Sequence, residues 1–159
     1  MLFKGAEQYD TLTRVPFIWA DPVGVSGERS DELAQTIDIG ATIMEHARVE
    51  GPEGMQGQPM SIVGGSGRDA VLIQYDSQRT IEPFGPQPRV HSVINGHYRL
   101  SIYQGQAENE LFDLIADPGE MTNLWDNADY AKVRADLTQK LAELEIAAVD
   151  RTPMPTAEA

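Results

Sequence analysis

Three histidines, His46, His91 and His97, are the side chains best suited to move protons near neutral pH, and they sit at unrelated spacings. His46 falls near the end of an expected helix, where an imidazole can meet the last carbonyls, so a C-cap role fits it better than a metal ligand. His91 and His97 flank Asn95-Gly96 and approach each other only if a hairpin register pairs them. Gly64-Gly65-Ser66-Gly67 has a loose likeness to a nucleophile elbow or a phosphate loop. It lacks the second glycine at the offset the elbow needs and the Lys-Ser/Thr pair that a phosphate loop needs, so it reads as a surface turn. The carboxylates are numerous, yet no spacing groups them beyond what a solvated acidic surface would show. Cysteine is absent, which excludes disulfides, Cys-ligated metal centres and a thiol nucleophile on this chain.

The elements that would position these residues belong to 159 residues carrying 25 acidic and 12 basic side chains, a formal charge of -13. Scattered Lys and Arg in so acidic a chain argue against nucleic acid and against an anionic membrane surface. No apolar run approaches the length of a membrane span, and no charged-then-apolar export pattern opens the sequence, so the expected location is cytoplasmic or left unknown. Residues 13–19 (Thr-Arg-Val-Pro-Phe-Ile-Trp) form a continuous apolar run that predicts a strand buried on both faces. A Gly/Ser-rich loop comes next, and residues 36–47 carry apolar side chains at helical spacing, predicting a helix packed on that strand's sheet. The Gly- and Pro-rich stretch from Gly51 to Pro59 marks a boundary.

Beyond the boundary the chain turns β-rich. Short strands are expected over residues 70–75, 90–94, 98–103 and 110–114, with Asn95-Gly96 supplying positive φ at both central positions of a tight hairpin. A proline-containing loop spans residues 76–89, and Asp117-Pro-Gly-Glu120 makes a turn. Tyr130, Val133, Leu137, Leu141, Leu144 and Ala148 recur every three or four residues, predicting an amphipathic helix packed on the sheet. The fold class is therefore α/β, becoming α+β in its C-terminal part, where a small antiparallel sheet packs on a C-terminal helix. The expected divisions are 1–60, 61–152 and a tail at 153–159.

Several short blocks, in order, resemble sulfatases of the alkaline-phosphatase-like superfamily. They are Lys4-Gly5, Tyr9-Asp10, Arg14-Val15-Pro16, Thr36-Ile37-Asp38 with Thr42-Ile43, and Gly54-Met55-Gln56-Gly57. The series continues with Tyr98-Arg99-Leu100 and Tyr103, Glu110-Leu111-Phe112-Asp113-Leu114, and Asp117-Pro118-Gly119-Glu120 with Asn123-Leu124. The resemblance implies that residues 1–60 are a strand–helix remnant of the sulfatase main domain. It also implies that the complete enzyme hydrolyses sulfate esters with a formylglycine nucleophile beside a divalent metal, usually calcium. Here the chain departs from the family: it has no cysteine, and none of its serines begins a Ser-x-Pro/Ala-x-Arg motif. No catalytic or metal-ligating residue is therefore expected on this chain. It should be inactive alone and need a separate or preceding N-terminal sulfatase segment as partner.

One residue carries over from the family as a substrate contact, Lys4, which matches the lysine that touches the sulfate. Arg14 reads either as an anion contact or as a structural charge beside the strand. The loop at 76–89 is the least family-like segment, so Arg79 and Arg89 are candidates for the substrate entrance. Gln35 stands where the family often has serine, a change expected to cost α-helix capping of about 1 kcal/mol. Two alternatives remain open: a non-catalytic binding protein derived from the same subdomain, and a part of a phosphoester or phosphonate hydrolase of the superfamily.

Overall fold

The structure, a computed structural model, describes residues 6–20, 27, 29–81 and 84–149. Its centre is a four-stranded antiparallel sheet in the order β1-β4-β5-β6, made of β1 (Val71–Asp76), β4 (Arg89–Ile94), β5 (Tyr98–Tyr103) and β6 (Glu110–Asp113). Between β1 and β4, two short strands, β2 (Thr80–Ile81) and β3 (Gly85–Pro86), pair antiparallel as a second sheet, so the proline-containing loop is itself a small hairpin.

Strand alternation gives the main sheet two different faces. On one, Val93, Leu100 and Leu111 meet Leu137 and Leu141 of the long helix α3 (Ala131–Ala147), with Tyr98, Tyr130, Val133 and Leu144 packed around them. This is the expected amphipathic helix, and its buried stripe is the one the spacing picks out. His91 shares that face. It reaches Glu145 of α3 through Nδ1 and Asp76 of β1 through Nε2 at 3.3 Å, while His97 lies in the turn beside Asp113 at 3.3 Å. The register pairs His91 with Ile102, so the two histidines do not meet.

The β4–β5 hairpin forms as expected, with a different turn at its tip. Ile94 pairs with Arg99, which makes Gly96 and His97 the central residues, and of the turn's residues only Gly96 has positive φ, at 82°. Asn95 stands before the centre. Its side-chain oxygen accepts the N–H groups of His97 and Tyr98, at 3.1 and 2.8 Å. A glycine alone in first central place is the arrangement of a type II′ turn, and asparagine serves as a cap.

The largest correction concerns residues 14–20, which form no strand among the described residues. The chain makes one turn of helix, α1 (Asp10–Thr13), and then runs on with Val15, Phe17 and Ile18 exposed, Ile18 at 88%. A strand is held by a neighbour's N–H and C=O groups, and no described strand pairs with this segment. Helix α2 (Asp38–Ala47) does form, yet it buries only Asp38, Ala41 and Thr42, and Ile37 and Ile43 stay half exposed.

Asp38 ties the start of α2 to Gln58, within the glycine-rich boundary, and to Arg68 beyond it. Its carboxylate accepts from Arg68 Nε and Nη2 at 2.7 and 2.5 Å, from Gln58 N–H at 2.8 Å and from Gln35 N–H at 2.8 Å. The helix is capped at Ile37, without a side-chain cap bond, so residue 35 lies outside the capping position expected for it, and the Gln35 amide donates to the Leu72 carbonyl. The glycine-rich stretch at 64–67 is a turn after the 3-10 segment Ser61–Val63. A Cβ on Gly65 would lie 1.8 Å from the Pro59 carbonyl oxygen, which explains glycine there without any ligand.

Candidate functional site

The second face of the sheet carries Val90 and Ser92 from β4, Arg99, Ser101 and Tyr103 from β5, and Glu110 and Phe112 from β6. The described start of the chain crosses this face. Ala6 is fully buried against Val90 and Tyr103, with Tyr75 and Phe84 packed around them. Three residues on, the Tyr9 ring meets Phe112 edge to face, centroids 6.1 Å apart.

Between these apolar contacts lies a buried ionic cluster. Arg99 has 0% exposure and is the second residue of β5, a strand flanked on both sides in the sheet. Its Nε donates to Glu120, and its Nη1 donates to Glu110 at 2.9 Å and to Ser101 Oγ at 2.5 Å. The guanidinium carbon also lies 5.0 Å from the Tyr9 ring centre and 4.8 Å from that of Phe112, so two aromatic rings adjoin the cation on neighbouring sides.

Glu110 further accepts the hydroxyls of Tyr103, at 2.9 Å, and Tyr9, at 3.3 Å. Burial, then the Glu110 charge, push both phenols above the ordinary tyrosine value, so each acts as a neutral donor. The second oxygen of Glu120 accepts the backbone N–H of Asp10 at 2.7 Å. Glu120 takes up this place in a left-handed conformation, φ 52°, after the Asp117 turn, whose side chain accepts from Met121 and Thr122.

Two carboxylates ten residues apart in sequence are therefore grouped around one arginine, against the expectation of a merely solvated acidic surface. The signal was available in part: a charged residue at the middle of Tyr98-Arg99-Leu100 must find a buried partner if the strand is central. What sequence spacing could not supply was the identity of the partners, which lie on β6, in the turn after it and in the N-terminal segment.

The candidate residues fall in different places. Lys4 lies outside the described residues, two positions before buried Ala6. Arg14 is exposed and pairs with Asp10 at 3.5 Å, so it flanks no buried strand. Arg79 is exposed at the entry to β2, with its carbonyl accepting from Gln87 N–H at 3.1 Å. Arg89 is exposed and lies 3.7 Å from Asp76. The β2–β3 hairpin nevertheless reaches the second face, because Phe84 stacks on Tyr103 with centroids 5.8 Å apart. His46, in the last turn of α2, meets Trp19 edge to face at 5.6 Å.

Among the described residues no group of three or more histidines and carboxylates is placed to hold a metal ion. The buried carboxylates of the cluster, Glu110 and Glu120, are engaged with arginine, tyrosine and backbone N–H groups, and so do not fit the calcium that the resemblance implies. Nor is any described helix long and apolar enough to cross a membrane.

A four-stranded antiparallel sheet with a short accessory hairpin and a C-terminal helix is the architecture of sulfatase C-terminal domains. A putative sulfatase from Bacteroides thetaiotaomicron has this fold over 99% of the present chain, with a TM-score of 0.79 at 23% identity, and 35% of that protein is matched. Residues 2–147 match the family model described as N-sulphoglucosamine sulphohydrolase, C-terminal, and the chain belongs to that family.

Among curated relatives, the uncharacterized sulfatase YidJ of Escherichia coli K12 is 28% identical over 144 residues, covering 90% of this chain and 28% of the relative. An N-acetylglucosamine-6-O-sulfatase of Bacteroides thetaiotaomicron is 27% identical over 157 residues, covering 91% of this chain and 27% of the relative. The phosphonate monoester hydrolase of Agrobacterium radiobacter shares 26% identity at a TM-score of 0.61, over 72% of this chain and 25% of that one. The chain thus spans little more than a quarter of the length of the curated relatives it matches.

Proposed function

We propose that the chain supplies the C-terminal part of an enzyme that hydrolyses sulfate esters to an alcohol and inorganic sulfate, with Lys4 contacting the sulfate. The observation that carries this reading is the seating of the segment just after Lys4-Gly5. Ala6 is buried on the sheet, and Tyr9 and Asp10 are bonded to Glu110 and Glu120, in a chain of a sulfatase family. An ammonium held beside the sulfuryl oxygens offsets the negative charge that grows there and on the ester oxygen as the S–O bond breaks.

Nucleophile and metal are assigned to no residue here, since the chain has no cysteine and no three histidines or carboxylates among the described residues are grouped to hold a metal ion. A further sulfatase segment, preceding or separate, is the proposed partner. The β2–β3 hairpin borders the entrance in this reading, because Phe84 and Ala6 share one cluster beside Tyr103, and Arg79 and Arg89 remain the loop's candidate contacts to the acidic substrate.

The test is 4-nitrophenyl sulfate turnover with calcium present, by the pure chain and by the chain joined to the N-terminal region of a sulfatase relative. The chain alone should be inactive. The joined form should turn over, and Lys4→Ala should lower kcat by about a hundredfold, the scale of losing one charge-stabilising donor. Turnover by the pure chain, or indifference of the joined form to Lys4→Ala, refutes the reading. A preference for a 4-nitrophenyl phosphonate over the sulfate would favour phosphonate hydrolysis, the second reading that the likeness to a phosphonate monoester hydrolase supports.

A further inference from the structure

The C-terminal end of α3 is held differently from its middle. Leu137 and Leu141 are buried on the sheet and Leu144 packs beside them, but no described residue after Leu144 is buried. Polar contacts take over there. Glu145 meets His91 Nδ1, and the Ala148 carbonyl accepts the Gln56 side-chain amide from the glycine-rich boundary. The other ring nitrogen of His91, Nε2, lies 3.3 Å from Asp76 Oδ1 on β1, the edge strand. One imidazole on β4 thus touches a carboxylate of the sheet and a carboxylate of the helix.

A neutral imidazole has one N–H, so it donates to one of these carboxylates and turns a lone pair towards the other. The imidazolium has two N–H groups and a charge that serves both, and hydrogen bonds between charged groups are roughly twice as strong as neutral ones. The charged neighbours divide unevenly. Arg89 of β4 lies 3.7 Å from Asp76 and so supports the strand side, while the helix side depends on the ring. The residues paired with His91 across the sheet, Gln74 on β1 and Ile102 on β5, carry no charge. We propose that His91 is a proton-operated clasp: protonated, it fastens the last turn of α3 to β1 and β4, and on losing its proton it slackens that turn. The clasp is complete just below imidazole's ordinary value of about 6.5, and its contribution to stability is lost as pH rises through the imidazole range.

The test follows amide hydrogen exchange by NMR in the full chain from about pH 5.5 to about pH 8, each rate divided by its unstructured value at that pH. The Ala148 amide, bonded to the Leu144 carbonyl at 2.9 Å, reports the last turn, and the Leu141 amide reports the body of the helix. Protection of Ala148 should fall at least about twofold and up to about fivefold as pH rises, the scale of a half-exposed charge pair. The fall should track titration of the His91 ring protons, with Leu141 unchanged. His91→Gln should abolish the response. If that variant fails to fold, Glu145→Gln, a half-exposed change on the helix surface, should bring the response below about twofold. His97→Gln should respond as the parent does, because His97 faces Asp113 in the hairpin turn. A smaller response in the parent overturns the proposal, as does one that persists in His91→Gln or Glu145→Gln, or disappears in His97→Gln. Equal loss of protection at Leu141 also overturns it, since the whole helix and not its last turn would then be responding.

Discussion

Arg99→Met tests the buried cluster most directly. Methionine keeps much of the stem's packing against Tyr9 and Phe112 while removing the cation that faces two carboxylates. Breaking a buried pair from one side costs about 3–5 kcal/mol, because a charge is left without its partner. The structure places this case at the lower end. Glu110 is 15% exposed in its side chain and keeps the hydroxyls of Tyr9 and Tyr103, and Glu120, at 3%, keeps the Asp10 N–H. The expected loss is about 3 kcal/mol, read as a lower urea midpoint at pH 7 by far-UV circular dichroism with an unchanged m-value. For a chain of this size that corresponds to a fall in Tm of roughly 6–12 °C. The triple variant Arg99→Met/Glu110→Gln/Glu120→Gln removes the stranded charges and should recover at least about half of the loss. By contrast, Lys132→Met breaks only an exposed i,i+4 pair with Asp136 and should change stability by less than about 0.5 kcal/mol. An Arg99→Met midpoint within about 1 kcal/mol of the parent would refute the assignment of buried charge pairing, as would a triple variant no better than the single one.

Three further predictions concern the N-terminal half. Gly65→Ala places a Cβ 1.8 Å from the Pro59 carbonyl oxygen and should cost at least about 3 kcal/mol in urea unfolding, the upper end for overpacking. Gly40→Ala, in α2 with open space around it, should gain about 0.5–1 kcal/mol, and a loss there would contradict the helix. Burial opposes ionisation of Asp38, but the Arg68 hydrogen bonds, the Gln58 and Gln35 N–H groups and the Arg68 charge outweigh it and hold the carboxyl below its ordinary 3.8. A depressed carboxyl contributes stability that is complete above the unfolded value and disappears as pH falls through the lower folded value. The parent's urea midpoint should thus drop on acidification below about pH 4, and Asp38→Asn should show a shallower drop; equal acid slopes would remove Asp38 from the account.

The C-terminal elements were legible in the sequence because their causes are local. Helix α3 arises from the spacing of Leu137, Leu141 and Leu144, and those residues bury the face that spacing implies. The β4–β5 hairpin arises from Asn95-Gly96, although the register, set by Ile94 opposite Arg99, moved the turn centre one residue on and gave Asn95 a capping role. Residues 13–19 show the opposite case. Their apolar content describes a strand between neighbours, and since pairing is a property of two segments, one segment's composition cannot create it. Val15 and Ile18 accordingly stay exposed.

The site was illegible for a related reason. The bonds that assemble it from separate elements join distant positions: Tyr9 to Glu110, Asp10 to Glu120, Arg99 to both glutamates. Among 25 acidic residues, nothing in composition separates Glu110 and Glu120 from the solvated rest. Their selection comes from geometry. Glu110 shares a sheet face with Arg99 through the β5–β6 register, and Glu120 is turned back onto it by the Asp117 turn and a left-handed backbone. The short blocks Tyr9-Asp10, Tyr98-Arg99-Leu100, Glu110-Leu111 and Asp117-Pro118-Gly119-Glu120, weak one by one, thus contribute to one contact cluster. That convergence gives a physical reason why they occur together in this chain: each supplies a donor, an acceptor or a turn that the others leave unsatisfied.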